Sequence, residues 1–92
     1  MSSASPIRVM LVDDHAILRT GVRSFLKLYP DIEVVAEASN GEEALVKVNE
    51  VQPEIVLLDI GMPGMNGLVL AGLLRDRHPS VKILVLTQHD NP

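Results

Sequence analysis

The chain is 92 residues long, carries a formal charge of −4 and contains no cysteine. That length allows at most one domain, and the absence of cysteine excludes disulfides and thiolate metal sites. The negative balance argues against this chain gripping a nucleic-acid backbone, and no apolar run approaches the ~20 residues of a membrane span. A soluble, cytoplasmic protein without a membrane partner is expected.

Residues 1–5 read as a short disordered lead-in, since they lack the basic and apolar regions of a signal peptide. An uninterrupted aliphatic strand, Val9–Val12, then runs straight into Asp13 and Asp14. Ile17/Leu18, Val22, Phe25/Leu26 and Tyr29 recur every three to four residues, which predicts a helix over 17–29 with one buried stripe. Residues 32–38 form a second strand, and Glu33 and Glu37 mark it as an edge. A second helix follows over 42–50, with Asn40 as N-cap and Glu42 and Glu43 in its first turn.

The third strand, Ile55–Leu58, ends at Asp59. Helix 67–77 follows, with Asn66 as its candidate cap and Arg75, Arg77 and His78 near its negative end. The fourth strand, Ile83–Leu86, ends at Thr87. Pro30, Pro53 and Pro79 each stand between a helix and the strand after it, because proline cannot continue a helix. Gly21 and Gly72 fall inside helices and weaken them slightly.

Aliphatic runs alternating with helices imply an α/β fold with a doubly wound parallel sheet. Ligands in such sheets bind beyond the carboxyl ends of the strands, where the strand order reverses. A 2-1-3-4 order makes the first and third strands neighbours and brings Asp13, Asp14 and Asp59 to one crevice. Two carboxylates ~5 Å apart repel by roughly 3 kcal/mol at an effective dielectric near 20. A proton or a cation relieves that repulsion, and oxygen-only donors suit Mg2+ completed by phosphate and water. Each feature also has a plainer role: Asp14 as a helix cap, Asp59 as a turn residue, Thr87 as an ordinary strand end.

"LVDDH", "IVLLDIGMPGMNG" and "KILVLTQHD" together resemble the receiver domain of bacterial two-component response regulators. With "PDIEVVAEASNGEEAL" the likeness is closest to receivers that precede a LuxR-type helix-turn-helix. The resemblance covers Ile7 to Pro92 and implies a flavodoxin-like (CheY-like) fold. It implies that Asp59 is the phosphoacceptor, that Asp14 and Asp13 hold Mg2+ with Asp59 and the Gly61 carbonyl, and that Thr87 is the switch hydroxyl. It further implies a sensor histidine kinase as partner. The resemblance places any DNA contact in a C-terminal domain outside this sequence. The chain is then a signalling switch and not a turnover enzyme.

The resemblance also implies a further helix, a fifth strand opening near a phosphoryl-contacting lysine, and a fifth helix after Thr87. Residues 6–92 therefore read as an incomplete receiver: either the polypeptide is longer, or it self-associates to cover a bare sheet face and the aliphatic edge "VKILVL". Neither Lys47, in mid-helix, nor Lys82, at the opposite strand end, can replace that lysine. Gln88 is bulkier than the residue usual beside the switch threonine. His15 and His89 also sit at the active edge and read as exposed loop histidines rather than metal ligands, because the carboxylate set already suits Mg2+. The alternative function is a receiver-fold interaction module that works without phosphorylation. A flavodoxin-like cofactor site is disfavoured, because Asp13 and Asp14 would repel a bare phosphate.

Overall fold

A computed structural model of the protein describes residues 5–59 and 67–86. Its elements are β1 (Ile7–Val12), α1 (Ala16–Leu26), β2 (Ile32–Ala38), α2 (Gly41–Val51), β3 (Ile55–Asp59), α3 (Gly67–Arg77) and β4 (Lys82–Leu86). The four strands form one sheet in the order β2-β1-β3-β4, and every pair is parallel, as expected.

The helix ends follow from local chemistry. In α2 the Asn40 side chain accepts a hydrogen bond from the Glu43 N–H at 2.8 Å. Glu43 reaches back to accept from the Ser39 N–H at 2.7 Å. Two N–H groups at the helix start are thus satisfied by two side chains. At the other end Gln52 takes a left-handed conformation (φ 48°), and its N–H closes on the Val48 carbonyl just before Pro53. Helix α1 stops at Leu26, three residues short of the expected Tyr29. There the chain tightens, with Leu28 N–H bonding Phe25 O and Tyr29 N–H bonding Leu26 O, a geometry that periodicity cannot distinguish from helix.

Among the described residues the buried cluster lies on one face of the sheet. Met10, Val12, Ala38, Val56 and Leu58 pack against Ala44 and Val48 of α2 and against Leu70, Ala71 and Leu74 of α3. On the other face α1 lies over β1 and β2 alone and has no buried residue. Among the described residues no helix covers the β3–β4 half of that face. The aliphatic edge expected of β4 is accordingly exposed: Leu84 is 53% accessible and Leu86 43%.

A bulge decides which residues meet across β1 and β2. Val9 pairs with Val34, but Met10 pairs with Ala36, so Val35 is passed over. Simple alternation along β2 would keep Glu33 and Glu37 on one face. With the bulge, Glu33 stands beside Arg8 and Glu37 beside Leu11, on opposite faces. Glu37 is thereby delivered to α1, where Arg19 and Arg23 both bind it.

Candidate functional site

The parallel register of β1 with β3 sets Val12 beside Leu58, so both strands end together and their next residues are Asp13 and Asp59. Asp13 is 7% and Asp59 9% exposed. The Asp13 N–H continues the β1–β2 ladder to the Ala38 carbonyl at 3.0 Å, while its carboxylate turns back to accept from the His15 N–H at 2.8 Å. That local turn starts α1 with His15 as N-cap, and the imidazole makes no capping bond. Asp14, which could have been the cap, is released from that duty.

Asp13, Asp14, His15 and Asp59 each present a possible ligand atom, and all four atoms lie within 4.8 Å of one another. The three aspartates expected in one crevice are therefore together. One oxygen of the set is poorly placed for a protein without a cation. Asp14 Oδ1 is buried and accepts no hydrogen bond; His15 Nδ1 lies 3.0 Å away but without hydrogen-bond alignment. A buried carboxylate oxygen lacking a donor is destabilising, and an approaching hard cation is what such an oxygen suits. The donor set therefore fits a divalent ion such as Mg2+.

His15 was expected at this edge as an exposed loop histidine, and the structure places it there. Its side chain is 60% exposed, as a loop histidine should be, yet Nδ1 points into the carboxylate cluster. It lies 3.1 Å from Asp13 Oδ1, 3.0 Å from Asp14 Oδ1 and 3.8 Å from Asp59 Oδ2. The hydrogen bond it donates to the Asp13 carboxylate and then the charge of Asp14 raise its pKa above the ordinary value against the opposing effect of burial, with further help from the charges of Asp13 and Asp59. The available sequence signal was its position two residues after Asp13, the spacing of a side-chain turn.

Three arginine contacts frame the site from the α1 side. Arg19 Nη1 donates to the Asp13 carbonyl at 2.6 Å and its Nε to Glu37 Oε1 at 3.0 Å. Arg23 Nη1 donates to the other Glu37 oxygen. Lys47 is engaged elsewhere, on the Glu37 carbonyl at 2.6 Å, and Lys82 sits at the far end of β4, in register with Ile55. Gly61, Asn66, Thr87, Gln88 and His89 lie outside the described residues.

Comparison with known proteins agrees with this architecture. The family model described as response regulator receiver domain matches residues 9–92. The nitrate/nitrite response regulator protein NarL of Escherichia coli strain K12 is 45% identical over 87 residues, which are 95% of this chain and 40% of that protein. The chain thus spans less than half the length of that relative. Among solved structures, the signal receiver domain of the putative response regulator NarL from Mycobacterium tuberculosis superposes with a TM-score of 0.87 at 36% identity. That match covers 97% of this chain and 72% of the other. A two-component response regulator of the LuxR family from Aurantimonas sp. SI85-9A1 gives a TM-score of 0.87 at 38% identity, covering 95% of this chain and 62% of the other.

Proposed function

The chain belongs to the response regulator receiver domain family, and from that premise we propose that Asp59 accepts a phosphoryl group in an Mg2+-dependent reaction. The observation that carries this reading is the convergence of Asp13, Asp14 and Asp59 at the carboxyl edge of β1 and β3, with one Asp14 oxygen buried and undonated.

An oxygen of the Asp59 carboxylate attacks the phosphorus of a phosphohistidine on a sensor histidine kinase, or of a small acyl phosphate. The new P–O bond forms as the P–N or P–O bond to the donor breaks, and the leaving group carries away the electron pair. Asp14 directly, and Asp13 partly through water, would hold Mg2+ together with Asp59 and the Gly61 carbonyl. When bound, that ion supplies charge neutralisation at the phosphoryl oxygens. Asp13 is fixed for this role by its bonds to Ala38 and His15. Thr87 would then hydrogen-bond the acquired phosphoryl group, whose added charge and acceptor oxygens bias the loops around it.

Resemblance to LuxR-type receivers supports a cytoplasmic regulator whose DNA contacts belong to a C-terminal domain outside this sequence. Within it the receiver is a switch that assists its own phosphorylation and dephosphorylation. The exposed Leu84, Val85 and Leu86 of the terminal strand β4 favour self-association of any form that leaves this edge open. No helix among the described residues is long and apolar enough to cross a membrane.

Intact mass before and after incubation with acetyl phosphate and Mg2+ tests the central claim. One added phosphoryl group, absent in Asp59→Asn, is expected. A full-length wild-type protein that takes up none, with Mg2+ present, leaves the phosphorylation-independent interaction module as the better reading.

A further inference from the structure

We propose that Arg19 is a positioning residue for the acidic site, an inference that rests on the Mg2+ reading above. Its guanidinium fixes the turn that carries Asp13 and Asp14, and so sets the affinity of the pocket for the ion.

Asp13 is held at three points. Its N–H is bound by the Ala38 carbonyl at 3.0 Å and its carboxylate by the His15 N–H at 2.8 Å. Its carbonyl is the third point. The first α1 ladder bond runs from the Arg19 N–H to the His15 carbonyl, so the Asp13 carbonyl precedes the ladder and has no helical donor. At a residue only 7% exposed it needs a partner, and Arg19 Nη1 supplies it at 2.6 Å. The same guanidinium is anchored through Nε to Glu37 on β2, which Arg23 steadies from the next turn of α1. One planar group thus ties α1, the end of β1 and β2 together. A lysine, with a single ammonium, cannot reproduce that fork.

The surroundings strengthen the tie. A small hollow of about 10 Å³ beside it is lined by Leu11, Val12, Val22, Leu57 and Leu86 in addition to Asp13 and Arg19. Against an apolar wall a charge-assisted hydrogen bond is stronger, and losing it is more costly. Residues supporting metal ligands typically change affinity about 10–100-fold when removed. Arg19 holds a ligand residue's backbone and not its carboxylate, which places the expected effect near the lower end.

Arg23 separates this role from a merely structural one, because it shares Glu37 but makes no bond to Asp13. The test is calorimetric titration of the full polypeptide with Mg2+, without phosphodonor, on wild type, Arg19→Met, Arg19→Lys and Arg23→Met. Thermal unfolding without Mg2+ is measured alongside. Arg19→Met is expected to weaken Mg2+ binding about 10-fold and Arg19→Lys about 3-fold. Arg23→Met should lower the melting temperature comparably and leave Mg2+ affinity within about twofold. If Arg19→Met does not fold, Arg19→Lys against Arg23→Met decides alone. Equal Mg2+ affinity in the Arg19 and Arg23 variants overturns the positioning role while the Mg2+ reading stands. A wild type that binds no Mg2+ overturns both.

Discussion

Leu11 and Glu37 are partners across the β1–β2 pair, although plain alternation from Val9 and Val34 would set Leu11 beside Ala36. The bulge at Val35 shifts β2 by one residue and turns Glu37 from the α2–α3 core face to the α1 face. A carboxylate that would have been buried among aliphatic side chains meets two guanidinium groups instead.

That placement sets a pH dependence. Burial alone would raise the Glu37 pKa, but hydrogen bonds from Arg23 and Arg19 outweigh it and hold the carboxyl below its ordinary 4.5. A group whose folded pKa is depressed stabilises the fold above its unfolded pKa and loses that contribution as pH falls through the lower, folded value. Glu37→Gln should therefore cost about 1 kcal/mol at neutral pH, a partly exposed charge-assisted pair being worth little more. Urea unfolding of both proteins checks this. The difference should persist down to about pH 5 and shrink as acidification proceeds; a gap independent of pH would show that Glu37 acts by packing alone.

Asp14→Asn should separate stability from ion binding. The substitution removes one negative charge from a cluster whose ligand atoms lie within 4.8 Å, and it replaces a buried oxygen that has no donor. In chelator-treated protein the variant should be more stable by about 0.5–2 kcal/mol. Wild type should regain the advantage in Mg2+, gaining roughly 2.7 kcal/mol once the ion reaches about 100 times its Kd. Thermal melts with and without Mg2+ read both effects. A variant that keeps the Mg2+ response would remove Asp14 from the ligand set.

The start of α2 depends on two side chains. Asn40→Ala should destabilise the protein by about 1 kcal/mol, because the Glu43 N–H loses its acceptor. Glu43→Gln should cost less, since an amide oxygen can still accept from Ser39. Chemical denaturation of the two variants and their double mutant measures the coupling. Additive losses would mean that the two bonds act independently.

One-sided packing predicts unequal sensitivity of two leucines. Leu74 of α3 is fully buried in the core, whereas Leu84 of β4 is 53% exposed. Leu74→Ala should cost about 2–5 kcal/mol, and Leu84→Ala less than about 1 kcal/mol in a monomer. The same Leu84 variant should reduce concentration-dependent association in light scattering, because it removes apolar surface from an unpaired edge. Unchanged association would place the contact elsewhere.

Much of the fold was legible because its signals are local. The Val9–Val12 and Ile55–Leu58 runs, three helix-stopping prolines and the Asn40 cap act over a few residues, and all reappear in the structure. The strand order came with the resemblance to receivers, and once the order is 2-1-3-4 the meeting of Asp13, Asp14 and Asp59 follows, because strand ends share one edge.

Local patterns placed α1 three residues too far, because a tightened turn and a helix share the same periodicity. They set His15 at the active edge as an exposed histidine, but not the side-chain turn at Asp13 that aims its ring at three carboxylates. The sequence alone thus determined which elements form, in what order, and which carboxylates end the strands. Only the tertiary structure decided which face Glu37 takes, where Arg19 reaches and what His15 touches. A bulge register and a side-chain direction arise from contacts between segments far apart in the chain, and no short window of residues encodes them.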